Sequence, residues 1–199
     1  MLSYRTFSAV SRTKIAVGAC RFFASLAPCC TEEEAKAFIG QVKKELPGAT
    51  HHAYAYRLGF GDGIIARCSD DGEPASTAGQ PMLGVLEREG LSDVVLVGTR
   101  YFGGVKLGVG GLIRAYRSCA LAGVKDAIIC EKESLSTCKI SVPYDYLGGV
   151  LKEIEANEGK VLGFQYLNDV QLSVSFPEEK KAALLKMVGE ASRGTATIN

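Results

Sequence analysis

Two short segments hold most of the side chains that could do chemistry. In Ser69-Asp70-Asp71-Gly72-Glu73-Pro74, three carboxylates crowd one turn. Their oxygens could ligate a hard cation, although three acids in one short segment do not complete such a site without help from elsewhere. Two other roles compete. Asp and Gly can simply build the turn, with Ser76 or Thr77 capping the helix that follows, or a carboxylate can pair with Arg100 and tie two segments together. The second segment, from Gly98 to Arg117, has six glycines between positions 98 and 111 and carries Arg100, Lys106, Arg114 and Arg117. Glycines between an apolar strand and a helix start let a backbone approach a ligand, and the free amides of the helix start favour an anion. A phosphate or an RNA backbone is the chemistry this implies. The segment lacks the G-x-x-x-x-G-K-[ST] phosphate loop and the later acid of a dinucleotide fingerprint. Its glycines are equally suited to tight turns and close helix packing.

His51 and His52 are the only histidines. On a strand they point to opposite faces, so they form no chelating pair, and the chain has too few for an H-x-x-x-H zinc site. His52 beside Cys68 on adjoining strands would be a nucleophile pair; an inert, buried cysteine is the competing reading. His52, Tyr54 and Tyr56 share a strand face that either stacks bases on an open sheet or packs a core. Seven cysteines show neither C-x-x-C nor zinc-ligand spacing, which reads as a reduced, cytoplasmic chain using them as small apolar residues. No metal, cofactor or catalytic residue is assigned.

These residues need elements to hold them. Thr31 and Glu34 mark a capped helix containing Phe38, Ile39, Val42 and Leu46, ended by Pro47-Gly48. His52–Leu58 and Ile64–Cys68 read as strands around Gly59–Gly63, Ala78–Glu89 as a helix, Asp93–Thr99 as an apolar strand and Gly110–Ala127 as a second helix. Glu131–Ser136 is polar and reads as a linker. Beyond it come a strand at Thr137–Val142, a helix at Asp145–Asn157, strands at Lys160–Tyr166 and Val170–Phe176, a helix at Glu178–Glu190 and a strand at Thr195–Ile198. That β-α-β-β-α-β order is the ferredoxin-like plan. The acid-free start before Glu32 has the composition of a mitochondrial presequence, while alternation over Arg21–Leu26 reads as a strand of the folded domain.

Length and composition set the outer limits. With 199 residues, 47% hydrophobic and 23% charged, the chain has enough apolar material for a real core in one large domain or two. No apolar run approaches membrane-spanning length. A formal charge of +1 means that bulk charge drives no nucleic-acid or membrane binding. Any electrostatic site must come from local segregation, and there is some: no acid lies between Asp93 and Asp126, whereas Arg100, Lys106, Arg114, Arg117 and Lys125 do, a run that is either a binding face or simply a solvated one.

SDDGEPASTAGQP at 69–81, VLVGTRYFGGVKLGVGGLIRAYR at 95–117 and the upstream His51-His52-Ala53-Tyr54-Ala55-Tyr56 resemble the YigZ/IMPACT family, in its bacterial branch without an RWD domain. The resemblance implies an α+β protein of two domains. Residues 1–131 would form an α/β sandwich similar to domain IV of elongation factor G, and 136–199 a ferredoxin-like domain. Its eukaryotic branch regulates translation by competing for the activator of an initiation-factor kinase. Some members carry a proline-dipeptidase label, but the acids and histidines for two metals are missing here. Where the family often has Lys-Ser-Arg-Phe, this chain has Ala19-Cys20-Arg21-Phe22, losing a cation, and Ser76 replaces a family Gly. The expectation is a non-catalytic, cytoplasmic, translation-associated regulator that binds RNA, the ribosome or a protein partner, without a membrane. Its ligand-binding residues would be Asp70, Asp71, Glu73, Thr77, Arg100, Tyr101, Phe102, Gly103, Gly104, Lys106, Gly108 and Arg114, with Arg21 and His52 as outlying candidates. The alternative is a small metal-assisted hydrolase using Asp70, Asp71 and Arg100.

Overall fold

A computed structural model describes residues 3–198, so expectations for residues 1, 2 and 199 fall outside the described residues. The protein is α+β and divides into two units, Tyr4–Lys132 and a second built from Glu133 onward.

The first unit is organised on a five-stranded antiparallel sheet in the order β2-β3-β6-β4-β5. Its strands are β2 (Ser11–Val17), β3 (Cys20–Pro28), β4 (His51–Leu58), β5 (Ile65–Ser69) and the central β6 (Val94–Tyr101). Strand β6 is buried on both faces until its last residue, which is why it reads as an unbroken apolar run rather than an alternation. Helices α2 (Gly79–Arg88) and α3 (Gly108–Asp126) cover one face. There Met82, Leu86, Leu112, Tyr116 and Ala120 pack against Phe22, Ala24, Leu26 and Leu96. Helix α1 (Glu32–Glu45) covers part of the other, setting Ala35, Phe38, Ile39 and Val42 on Tyr56, Leu58, Val95 and Val97. The remainder of that second face, around β2 and the start of β3, stays at the surface.

The cap of α1 follows expectation at Thr31, whose Oγ1 accepts the Glu34 amide at 3.2 Å. Glu34 in return takes the Cys30 amide at 2.7 Å, one residue earlier than a capping box requires. The linker expectation is corrected. Ile129–Glu133 is a strand (β7) paired with β1 (Ser3–Phe7), and β8 (Leu135–Val142) begins after Ser134 alone. Polar side chains misled the reading because a lightly covered two-stranded ribbon needs no apolar stripe, only backbone pairing.

The second unit runs β8, α4 (Leu147–Ala156), β9 (Lys160–Tyr166), β10 (Val170–Pro177), α5 (Lys181–Ala191) and β11 (Thr197–Ile198). Its antiparallel sheet is ordered β11-β8-β10-β9. Ile140, Val142, Leu172, Val174 and Phe176 bury one face under Val150, Ile154, Leu184 and Val188 of the helices. Among the described residues, no helix is long and apolar enough to cross a membrane.

Candidate functional site

The turn between β5 and α2 spends its carboxylates on the protein itself. Helix α2 has no side-chain cap of its own, and Asp70 supplies one from a distance: Oδ1 accepts the amides of Ala78 and Gly79 at 2.9 and 2.8 Å, and Oδ2 accepts that of Ser76 at 2.8 Å. Burial alone would push the Asp70 carboxyl up, but the amides of Gly79, Ala78 and Ser76 outweigh it and hold it below the usual carboxylate range. The capping expected of Ser76 or Thr77 therefore belongs to Asp70. Thr77 is buried, its hydroxyl donating to the Pro74 carbonyl at 2.7 Å. Asp71 accepts the His52 amide at 2.7 Å and pairs with Lys43 at 2.9 Å. Here too burial pushes the carboxyl up, and the His52 amide and Lys43 bring it below its ordinary value.

Glu73 is the centre of a buried knot. The carboxylate lies 2.7 Å from Arg100 Nε and accepts a hydrogen bond from Tyr116 Oη at 2.7 Å. Arg100 Nη2 donates to Oε2 at 3.3 Å, whereas Nε is charge-paired but poorly aligned for a hydrogen bond. Glu73 and Arg100 are each 7% exposed and Tyr116 not at all. Burial, reinforced by the Glu73 bond, keeps the Tyr116 phenol protonated far above its ordinary range. His51 closes the ring. Its Nδ1, 2.7 Å from the Asp71 carbonyl oxygen, must carry the proton it donates there, and its Nε2 lies 3.8 Å from Glu73. Arg100 thus ties the acidic turn to the glycine-rich segment, and its charge is committed to Glu73 rather than presented to solvent.

His52 faces the other way, as alternation requires, with Nδ1 3.0 Å from Thr99 Oγ1, and burial lowers its pKa. It is buried, as is Tyr56, so this strand face is mostly core beneath α1. Cys68, opposite Ala55, lies on the helix-covered face, so His52 and Cys68 do not meet. Burial raises the Cys68 thiol, which marks it as an unreactive side chain. Among the described residues, no group of three or more His, Cys, Asp or Glu is placed to hold a metal ion.

The glycine-rich segment past Arg100 is exposed. Phe102, Gly103, Gly104, Lys106, Gly108 and Arg114 all reach the surface. Gly103 has a structural reason to be glycine: a Cβ there would sit 1.9 Å from the Ala19 carbonyl oxygen, so this loop lies directly on the β2–β3 turn. Gly98 similarly lets Met82 and Tyr116 approach β6, where a Cβ would come within 2.6 Å of the Met82 sulfur. The uncovered end of the sheet adjoins this loop. Arg21 lies across from Tyr101 in register, its guanidinium 5.1 Å from that ring, and Lys14 Nζ is 5.9 Å from the Phe23 ring. Phe102 donates its amide to Thr50 Oγ1, and its ring lies 5.7 Å from the Arg100 guanidinium.

Lys14, Phe23 and Tyr116 were not named as site residues from sequence, and His51 was weighed only as half of a chelating pair. Tyr116 carried a usable signal: it follows Leu112 by four residues on the core face of α3, and a buried phenol needs a hydrogen-bond partner. Lys14 and Phe23 gave none, because their pairing depends on the β2–β3 register.

The match to known proteins covers both units. Residues 19–124 fit the model of the Impact N-terminal domain and residues 140–195 that of a domain of unknown function, DUF1949. The chain belongs to the IMPACT family. It is 35% identical to the IMPACT family member YvyE of Bacillus subtilis over 98% of this chain and 90% of that protein. Identity to the IMPACT family member YigZ of Escherichia coli is also 35%, over 89% and 88% of the two chains. The bovine Protein IMPACT shares 37% identity over 44% of this chain and 28% of its own length. A crystal structure described as that of a hypothetical protein, 33% identical, superposes with a TM-score of 0.77 over 100% of this chain and 97% of that one.

Proposed function

We propose that this IMPACT family protein is a non-catalytic, translation-associated regulator that binds single-stranded RNA, including exposed ribosomal RNA, with its glycine-rich loop and the uncovered end of its first sheet. The observation that carries this reading is the cluster of exposed cations beside the half-buried rings of Phe23 and Tyr101 and the exposed ring of Phe102: Lys14 over Phe23, Arg21 over Tyr101, then Phe102 and Lys106. Aromatic faces that stack bases, beside cations that meet phosphates, are how proteins hold single strands without reading sequence. Arg114, exposed on the first turns of α3, extends the basic edge. The hydrolase alternative has less to draw on, because Asp70 and Asp71 spend oxygens on amides and Lys43, and Arg100 is committed to Glu73.

The β-α-β-β-α-β order and the sheet order β11-β8-β10-β9 support reading the second unit as ferredoxin-like. The helix-covered antiparallel sheet of the first supports a fold of the kind found in domain IV of elongation factor G. A cytoplasmic site of action accords with cysteines used as packing residues.

Fluorescence anisotropy of labelled mixed-sequence single-stranded RNA at two salt concentrations tests the proposal. Binding should weaken with a log-log slope of roughly −3, since single strands give about −0.7 per neutralised phosphate and Lys14, Arg21, Lys106 and Arg114 line the face. No binding at low salt overturns the RNA reading.

A further inference from the structure

We propose that the outer groove between α2 and α3 docks an acidic amphipathic helix from a protein partner. Pro81, Gly84 and Arg88 line it from α2 at helical spacing, and Ile113, Arg117 and Leu121 line it from α3, each four residues from the next. The cavity holds about 190 Å³. That is below the roughly 300–1,000 Å³ of small-molecule pockets, and suits one or two anchoring side chains. Ile113 and Leu121 are 37% and 41% exposed on a helix whose other side is core. Gly84 leaves the floor open: nothing lies within 4 Å of where its Cβ would stand.

Charge selects the occupant. The groove's one acid, Glu89, is held by Arg5, whose Nη1 lies 3.9 Å from the carboxylate and donates to the Glu89 carbonyl at 2.6 Å. Among the described residues, Arg88 and Arg117 have no ion-pair partner. Two unpaired guanidiniums bordering an aliphatic slot complement acids that flank a Leu or Phe anchor, which is helix-in-groove recognition. RNA is disfavoured because no aromatic ring lines the slot to stack a base. The groove lies on the helix-covered side of the first sheet, away from the Arg21–Tyr101 face, so its occupation is independent of the RNA reading.

The test is a selection from a random phage-displayed peptide library against the full chain, followed by affinity measurement of synthetic versions of the enriched peptides. Enriched peptides should pair Leu or Phe with Asp or Glu, and Gly84→Leu should weaken them at least about tenfold by filling the floor. Leu is a better helix former than Gly, so that variant keeps its fold. The double variant Arg88→Glu, Arg117→Glu should switch preference to a Lys-substituted counterpart of the same peptide. Four results overturn the proposal: enrichment without acidic bias, affinity indifferent to Gly84→Leu, a dimer in sedimentation that Gly84→Leu dissociates, or single-stranded RNA that perturbs the amide signals of Gly84 and Leu121, the groove residues remote from Arg114.

Discussion

Arg100 and Tyr101 are neighbours on one strand, and they show how alternate faces of a sheet divide a motif between two kinds of work. Arg100 points to the helix-covered face and pairs with buried Glu73, while Tyr101 points to the uncovered face and lies under Arg21. The same division separates His51, bound to the acidic turn, from His52, packed on Thr99. A motif dense in charged residues is therefore not one binding surface. Half of it is the internal tie that holds the other half in place.

The largest effect should come from cutting the tie. Arg100→Ala leaves the Glu73 charge buried without its partner, which typically costs about 3–5 kcal/mol. Urea unfolding should show a fall of that size in the unfolding free energy, and a change below about 0.5 kcal/mol, ordinary for surface sites, would place Arg100 outside the structural half.

A smaller effect should appear on acidification. The pKa of His52 is lowered in the folded state, chiefly by burial, so the unfolded chain binds its proton more readily. Its contribution is fully present above the unfolded value of about 6.5 and is lost as pH falls through the folded pKa. Asp70 and Asp71, also lowered, lose theirs at more acid pH, as it falls from about 4. Stability measured between about pH 7 and 5 should decline in the wild type and flatten in His52→Gln, and equal slopes would sink the assignment.

The smallest effect concerns the turn itself. Ser76 adopts φ 61°, the left-handed region where an L side chain costs about 1 kcal/mol relative to glycine. Ser76→Gly should raise the unfolding free energy by up to about that amount while RNA affinity stays unchanged. A loss of stability would mean that the exposed hydroxyl matters more than the backbone.

Much of this was legible in residue order, and the misses have physical causes. The helices and most strands followed from apolar spacing, and Thr31 as a cap from its position before Glu34. The family resemblance rested on the two long motifs. What residue order did not reveal was where each oxygen goes. Asp70 caps a helix from eight residues away because Asp71, at φ 49°, helps fold the turn back on itself, a geometry that no local pattern encodes. The Ile129–Glu133 strand was hidden by its polarity, since its partner β1 comes from the far end of the unit. Lys14 meets Phe23 only because of hairpin register.

The most direct test of the division is Tyr101→Ala, with RNA affinity and unfolding free energy measured on the same preparation. Losing one stacked base costs about 1–3 kcal/mol of binding, so affinity should fall roughly five- to 150-fold, while the unfolding free energy falls by only about 1 kcal/mol through loss of the Tyr101 hydroxyl's bond to the Pro47 carbonyl and its edge contact with Phe23, well short of the Arg100→Ala loss. Wild-type affinity for RNA in Tyr101→Ala would contradict the account.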